Sequence, residues 1–153
     1  MNGGGHTVSS SARKIIFFFL AVLIVVLFFF LRGDNSIVLE LQENDAITVD
    51  GPQGTFFSVP YEDIEAITLL DSFDRGECID GGTKYKNAYG TWRCDRYGEY
   101  TLMARTKVDT YIAITDHGGQ TLVFNYESDE VTENLYELIL QLLAQQGISV
   151  EHG

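Results

Sequence analysis

Apolar positions along the chain change their spacing three times, and each change predicts a different element. Residues 15–31, IIFFFLAVLIVVLFFFL, are apolar without interruption. From residue 36 the period falls to two. SIVLEL puts Ile37, Leu39 and Leu41 on one side, AITVD puts Ile47 and Val49 there, and TFFSV and IEAITLL continue the pattern. DGPQG and PYED lie between these runs as turns, because Gly and Pro supply the dihedrals of a reversal. Residues 71–90 then lose periodicity and gain glycines, which predicts a long loop. Strands resume at EYTLMAR, with Tyr100, Leu102 and Ala104 facing one way, and TYIAIT and QTLVFN form a hairpin across DHGG. Finally the period becomes helical: VTENLYELILQLLAQQ sets Leu135, Leu138, Ile139 and Leu142 on one face. Ser128 or Asp129 can cap its start and Gly147 its end, leaving 148–153 as a fraying tail.

The apolar run reads as a membrane span. Its seventeen positions cover about 26 Å at helical rise, the short end of what crosses a bilayer. A cleaved signal peptide needs small residues after a shorter apolar region, whereas here FFFLRGDNS follows. The chain therefore divides into a Gly- and Ser-rich tail (1–13), a transmembrane helix (14–32) and a domain (36–147). Arg13 and Lys14 precede the span and Arg32 follows it, a bias that places the amino terminus in the cytoplasm and the domain outside the cell membrane. Only Gly33, Asp34 and Asn35 separate the span from the first strand pattern, so the tether is short.

Charge sharpens this division. All 22 acidic residues follow the span, together with seven of the ten basic ones, which leaves the domain at −15. Such a surface repels nucleic acid and anionic headgroups, so nucleic acid is not an expected partner.

One short region runs against the acidity. AYGTWRCDRYGEY, residues 88–100, holds Trp92, Arg93 and Arg96, with Lys84 and Lys86 just upstream. Guanidinium groups beside aromatic rings can grip a carboxylate or phosphate. These five residues are the candidate binding site. The competing account has Trp92 and Tyr100 packing at a strand entry after Gly98 while the cations pair with Asp95 and Glu99. Cys78 and Cys94, too far apart in sequence for a CxxC redox pair, could form a disulfide closing a loop of about 16 residues, worth about 3 kcal/mol, or stand as two small apolar residues.

Reaction chemistry has little foothold. His6 and His152 lie in the terminal tails and His117 in a glycine turn, and no GxSxG, HExxH, Walker-type or dinucleotide-binding motif occurs. Asp71, Asp74, Glu77 and Asp80 recur every three residues, which is not the spacing of an EF-hand. No catalytic residue, metal or cofactor is assigned.

Four strands, then three, then a carboxy-terminal helix make a mainly β chain whose order resembles the pleckstrin-homology-like (PH-like) fold. The strings VPYEDIEAITLLDSF, YGTWR followed by YGEYTL, YIAITDHGGQTLVFNYES and TENLYELI resemble small bacterial PH-domain families found beside transmembrane segments, over roughly residues 45–146. The resemblance implies a barrel or sandwich of about seven antiparallel strands. It also implies a non-catalytic, membrane-anchored module that binds a protein partner or itself. In such folds ligands often sit near inter-strand loops; the loops after the first strands are acidic here. A second possibility is a sensor of small ligands or lipid headgroups that works through 84–96.

Overall fold

A computed structural model describes residues 36–41 and 46–152, all within one compact unit, Asp34–Gly153. The expected tail 1–13 and transmembrane helix 14–32 lie outside the described residues. Among the described residues, no helix is long and apolar enough to cross a membrane.

The period-two segments become two sheets. The smaller is a meander of β1 (Val38–Leu41), β2 (Ala46–Asp50) and β3 (Phe56–Pro60). The larger contains β4 (Ile64–Leu70), β5 (Glu77–Lys84), β6 (Asn87–Cys94), β7 (Gly98–Arg105), β8 (Tyr111–Asp116), β9 (Thr121–Phe124) and β10 (Glu151–His152). Their spatial order is β10-β4-β8-β9-β7-β6-β5. One helix, α1 (Asp129–Gln145), lies between β9 and β10. The chain is therefore mainly β with a single carboxy-terminal helix among the described residues. The tally of about seven antiparallel strands is exceeded: there are ten among the described residues, and β7–β9 and β10–β4 run parallel.

The extra strands come from segments whose sequence hid them. Residues 77–94 are a β-ribbon where a long loop was expected. β5 is exposed along nearly its whole length, so no face selects apolar residues and no alternation appears. Gly81 and Gly90 sit opposite one another. A Cβ on Gly81 would lie 2.3 Å from the Tyr89 carbonyl oxygen, and one on Gly90 2.1 Å from that of Asp80. Glycines that read as loop signals are thus what lets two strands approach. Residues 148–152, expected to fray, instead run back to β4: Ile148 and Val150 pack on the core, and Glu151 and His152 pair with Ala66 and Ile67.

The large sheet buries both faces. On one, Ile67, Met103, Ile112, Ile114, Leu122 and Phe124 meet the small sheet through Ile47, Val49, Phe57 and Val59, and meet α1 through Tyr136, Ile139 and Leu143. Here the helix corrects the sequence reading. Its buried row is Thr132, Tyr136, Ile139 and Leu143, flanked by Leu135 and Leu142, while Leu138 is 52% exposed. Four leucine-type residues within eight positions outline a face about 100° wide, and the centre of the actual face falls one residue away. Ser128 is the N-cap, accepting from the Val131 amide. The Asp129 carboxylate turns outward to accept from the amides of Asp109 and Thr110, both at 2.8 Å.

On the opposite face, Leu70, Ala88, Tyr100, Leu102, Tyr111, Ala113 and Val123 are covered by Phe73, Trp92, Cys94 and Tyr97. This aromatic lid fixes the surroundings of the candidate site.

Candidate functional site

The connection between β4 and β5, residues 71–76, is pinned to the sheet by one ring. Phe73 stands 5.5 Å from Tyr100, 5.7 Å from Tyr111 and 5.9 Å from Tyr97, in edge-on or tilted geometries that suit aromatic quadrupoles. The Tyr100 hydroxyl donates to the Arg75 carbonyl oxygen at 2.8 Å. Burial raises the Tyr100 phenol well above its ordinary pKa, Cys94 adds to the rise, and Arg75 opposes it. Tyr100 begins the buried part of β7 just after Gly98, as its sequence context suggested.

Trp92 belongs to the same lid. It is half-buried on the aromatic cluster, and its indole N–H donates to the Tyr89 carbonyl oxygen at 3.1 Å. Its packing and its one polar group are thereby accounted for, and it lines neither cleft described below, so it is part of the lid rather than a free stacking surface.

The four cations do not form one patch. Arg93, in β6, lies opposite Glu77 of β5 and Glu99 of β7, so one guanidinium sits between two carboxylates on one face. It is ion-paired to Glu99, whose hydrogen bond and then whose charge raise the Arg93 pKa further. Lys84 and Lys86 flank the ribbon tip at the far end of β6. The six residue steps from Asn87 to Arg93 make that separation about 20 Å. Between the two lysines, Tyr85 is 70% exposed and holds φ at 58°, a left-handed conformation uncommon for an aromatic residue. The Lys84 ammonium lies 5.9 Å from its ring centre.

Arg96 has no carboxylate partner among the described residues. It occupies the exposed turn between β6 and β7, with its guanidinium carbon 5.3 Å from the centre of the Tyr97 ring. Tyr97 is itself raised in pKa by burial, with the Arg96 charge opposing. Arg96 and Ser72 stand where two open clefts meet. One, of about 790 Å³, is lined by the 72–77 segment and residues 93–98. The other, of about 650 Å³, runs along β4 from Ala66 to Leu70 and on to Asp71, and reaches Glu151 and His152. Sequence reasoning named Arg96 but missed this second cleft, whose β4 residues read only as a strand.

Both cysteine thiols are free, Cys78 exposed and Cys94 half-buried. Of the two readings left open by the sequence, the disulfide is not formed, and strand register accounts for this: Cys78 lies opposite Trp92, and Cys94 lies opposite Gly98 on the other neighbour. Of the four periodic acids, Asp74 accepts from the Gly76 amide at 3.0 Å and stabilises its own turn. Among the described residues no group of three His, Cys, Asp or Glu side chains converges to hold a metal.

Comparison of the chain with protein-family models, with curated proteins and with solved structures finds no match in any of the three.

Proposed function

We propose that this protein is a non-catalytic, membrane-anchored binding module of PH-like type, held by residues 15–31, with an extracytoplasmic domain that engages a protein partner through Arg96. The observation that carries this reading is the state of Arg96. In a domain at −15, Arg93 is ion-paired to Glu99, whereas Arg96 has no ion pair among the described residues and stands where two clefts meet. A cation so placed supplies a charge-assisted contact to an incoming carboxylate. The PH-like assignment draws support from a run of strands followed by one helix packed on them. The two parallel pairings depart from it.

A photo-cross-linking residue at Ser72 in the full chain, irradiated in intact cells, tests this reading. The expected result is a discrete adduct that Arg96→Glu abolishes and that Lys84→Glu with Lys86→Glu leaves intact. Release of the chain from membranes by alkaline carbonate would refute the anchor, and no adduct at position 72 would refute the Arg96 site.

A second reading rests on the ribbon tip. An exposed tyrosine between two lysines suits the polar–apolar boundary of a headgroup layer. Under that reading adducts form with lipid from position 85, and raised salt weakens them.

A further inference from the structure

The ribbon tip and the helix carry opposite charges, and neither is balanced within its own molecule. Strand pairing gathers four of the domain's seven cations at one end of the large sheet. Lys84 lies opposite Asn87, which lies opposite Arg105. The amide and the hydroxyl of Thr106 both donate to the Lys86 carbonyl oxygen, at 2.7 and 3.2 Å, which brings Lys107 alongside. Residues 81–91 and 100–108, which build this corner, hold no carboxylate. Helix α1 is its converse, with Asp129, Glu130, Glu133 and Glu137 and no cation. The single ion pair among the described residues, Arg93 with Glu99, belongs to neither.

Each charged surface surrounds an apolar feature. Tyr85 projects from the tip between Lys84 and Lys86, at positive φ in the first position of a two-residue turn, where glycine is the easy choice. On α1, the exposed Val131 and Leu138 form a shallow groove of about 340 Å³ with Leu135 and with Leu39 of β1. Asn134 lines the groove, and Glu130 and Glu137 are its neighbours on the helix surface, four residues before and three after.

We propose that this groove receives Tyr85 of a second copy of the chain, with Lys84 and Lys86 of that copy meeting Glu130 and Glu137. The proposal goes beyond the Arg96 reading and does not depend on it, since Arg96 lies past the opposite end of β6.

Charge and shape select this occupant together. The tip presents one ring with a cation on either side, and the groove presents an apolar floor with carboxylates beside it. A tyrosine seated there buries about 150–250 Å² of ring surface, the kind of anchor that dominates small interfaces. A polyanion or an anionic bilayer would satisfy the lysines and leave the groove open, whereas a second copy covers both. The net charge of the rest of the domain is screened beyond about 8 Å at physiological ionic strength, so the facing groups decide the contact.

The placement of tip and groove within one molecule sets the symmetry. Asp129 accepts from the amides of Asp109 and Thr110, so the start of α1 is tied two residues beyond Lys107. Lys84 and Arg105 share the sheet face of Met103, on which α1 packs. Tip and groove therefore neighbour one another, and a two-fold axis between them lets each copy insert a tip and receive one. Such a pair is closed.

The test is a charge swap in the full chain, followed by sedimentation equilibrium in density-matched nonionic detergent. One variant carries Lys84→Glu with Lys86→Glu, the other Glu130→Lys with Glu137→Lys. The parent is expected to dimerise at submillimolar concentration and each variant alone to be monomeric. An equimolar mixture of the two should regain the dimer, because both contacts are then restored with their signs exchanged; this also shows that both variants are folded. Tyr85→Gly removes the ring and suits the turn, so it should keep the near-ultraviolet circular dichroism of the core while weakening the dimer at least about tenfold. A photo-cross-linking residue at Leu138 should capture residues 84–86 of another copy.

A monomeric parent overturns the proposal, as does a dimer that either swap variant retains alone or a mixture that stays monomeric. Adducts from position 138 that contain lipid, or another protein, in place of residues 84–86 overturn the assigned occupant. None of these results bears on the adduct at position 72, so the Arg96 reading stands or falls separately.

Discussion

Asn125 offers the sharpest test of how the β7–β9 junction is held. It is fully buried just after β9, and its side chain makes three hydrogen bonds. Its amide oxygen accepts from the Arg105 N–H at 2.6 Å, and its amide nitrogen donates to the carbonyl oxygens of Arg105 at 3.2 Å and Val108 at 3.1 Å. One side chain thus substitutes for a missing strand neighbour at the end of β7 and fastens the crossover to β8. Replacement by alanine removes three bonds of about 1 kcal/mol net each and leaves one donor and two acceptors buried without partners. Part of that desolvation is relieved by relaxation or entry of water, so a total of about 3–5 kcal/mol is expected. Against a domain stability of about 5–15 kcal/mol this is a large share. At about 4 °C per kcal/mol for a domain of this size, the midpoint should fall by about 12–20 °C. Thermal unfolding of the full chain followed by near-ultraviolet circular dichroism reads it. Asn125→Asp is the companion: a carboxylate can still accept from Arg105 but faces two carbonyl oxygens, so its pKa rises and it should destabilise more at pH 8 than at pH 5. An alanine variant melting within about 2 °C of the parent refutes the reasoning, as does an aspartate variant insensitive to pH.

On α1, Ile139→Asp should prevent stable folding or cost more than about 4 kcal/mol, while Leu138→Asp stays within about 1 kcal/mol, because only Ile139 is fully buried; equal losses in thermal melts would refute the assigned face. Asp129 is held below its ordinary pKa of 3.8 first by the Thr110 amide and then by that of Asp109. Its stabilisation is present above that value and lost as pH falls through the lower folded value, so Asp129→Asn should flatten the acid limb of urea-midpoint curves, and parallel acid limbs would contradict this. Tyr100 is raised from its ordinary 10.0 by burial, so its contribution is complete below pH 10 and lost as pH climbs toward the folded value. Tyr100→Phe should therefore lose about 1 kcal/mol at neutral pH with its bond to Arg75 yet unfold over a shallower alkaline limb than the parent, as read by circular dichroism against pH.

Strands with one face in the core were legible in the sequence. Ile47 and Val49, or Ile112 and Ile114 in β8, alternate or cluster because burial selects them, and the helix announced itself through period and cap. What escaped is what no single-residue pattern encodes. β5 has no buried face to write an alternation, and its glycines carry the same letters as a loop's. The parallel β7–β9 pair depends on which strand lies between which, something the order of segments leaves open. For the candidate site, composition found Arg96 and the lysines but implied a proximity that the ribbon denies, since residues close in sequence lie at opposite ends of an extended strand. The β4 cleft left no trace of its own, because the backbone groups of an open edge are the same at every residue.

The two edges of the large sheet also differ in what they permit between molecules. β5, at one margin, combines a register shift between Cys78 and Asp80 with charged side chains at Glu77, Asp80 and Lys84. Bulges and edge charges are the devices that stop sheets from growing into one another. At the other margin the two-residue β10 covers only part of β4, which is regular and uncharged from Ala66 to Leu70. A sheet with two receptive margins extends without limit once copies begin to join, since each addition exposes a fresh edge. With only one receptive margin, two copies meeting edge to edge through β4 use up the growing surface of both. Any joining of two large sheets by that route closes as a two-fold pair and goes no further.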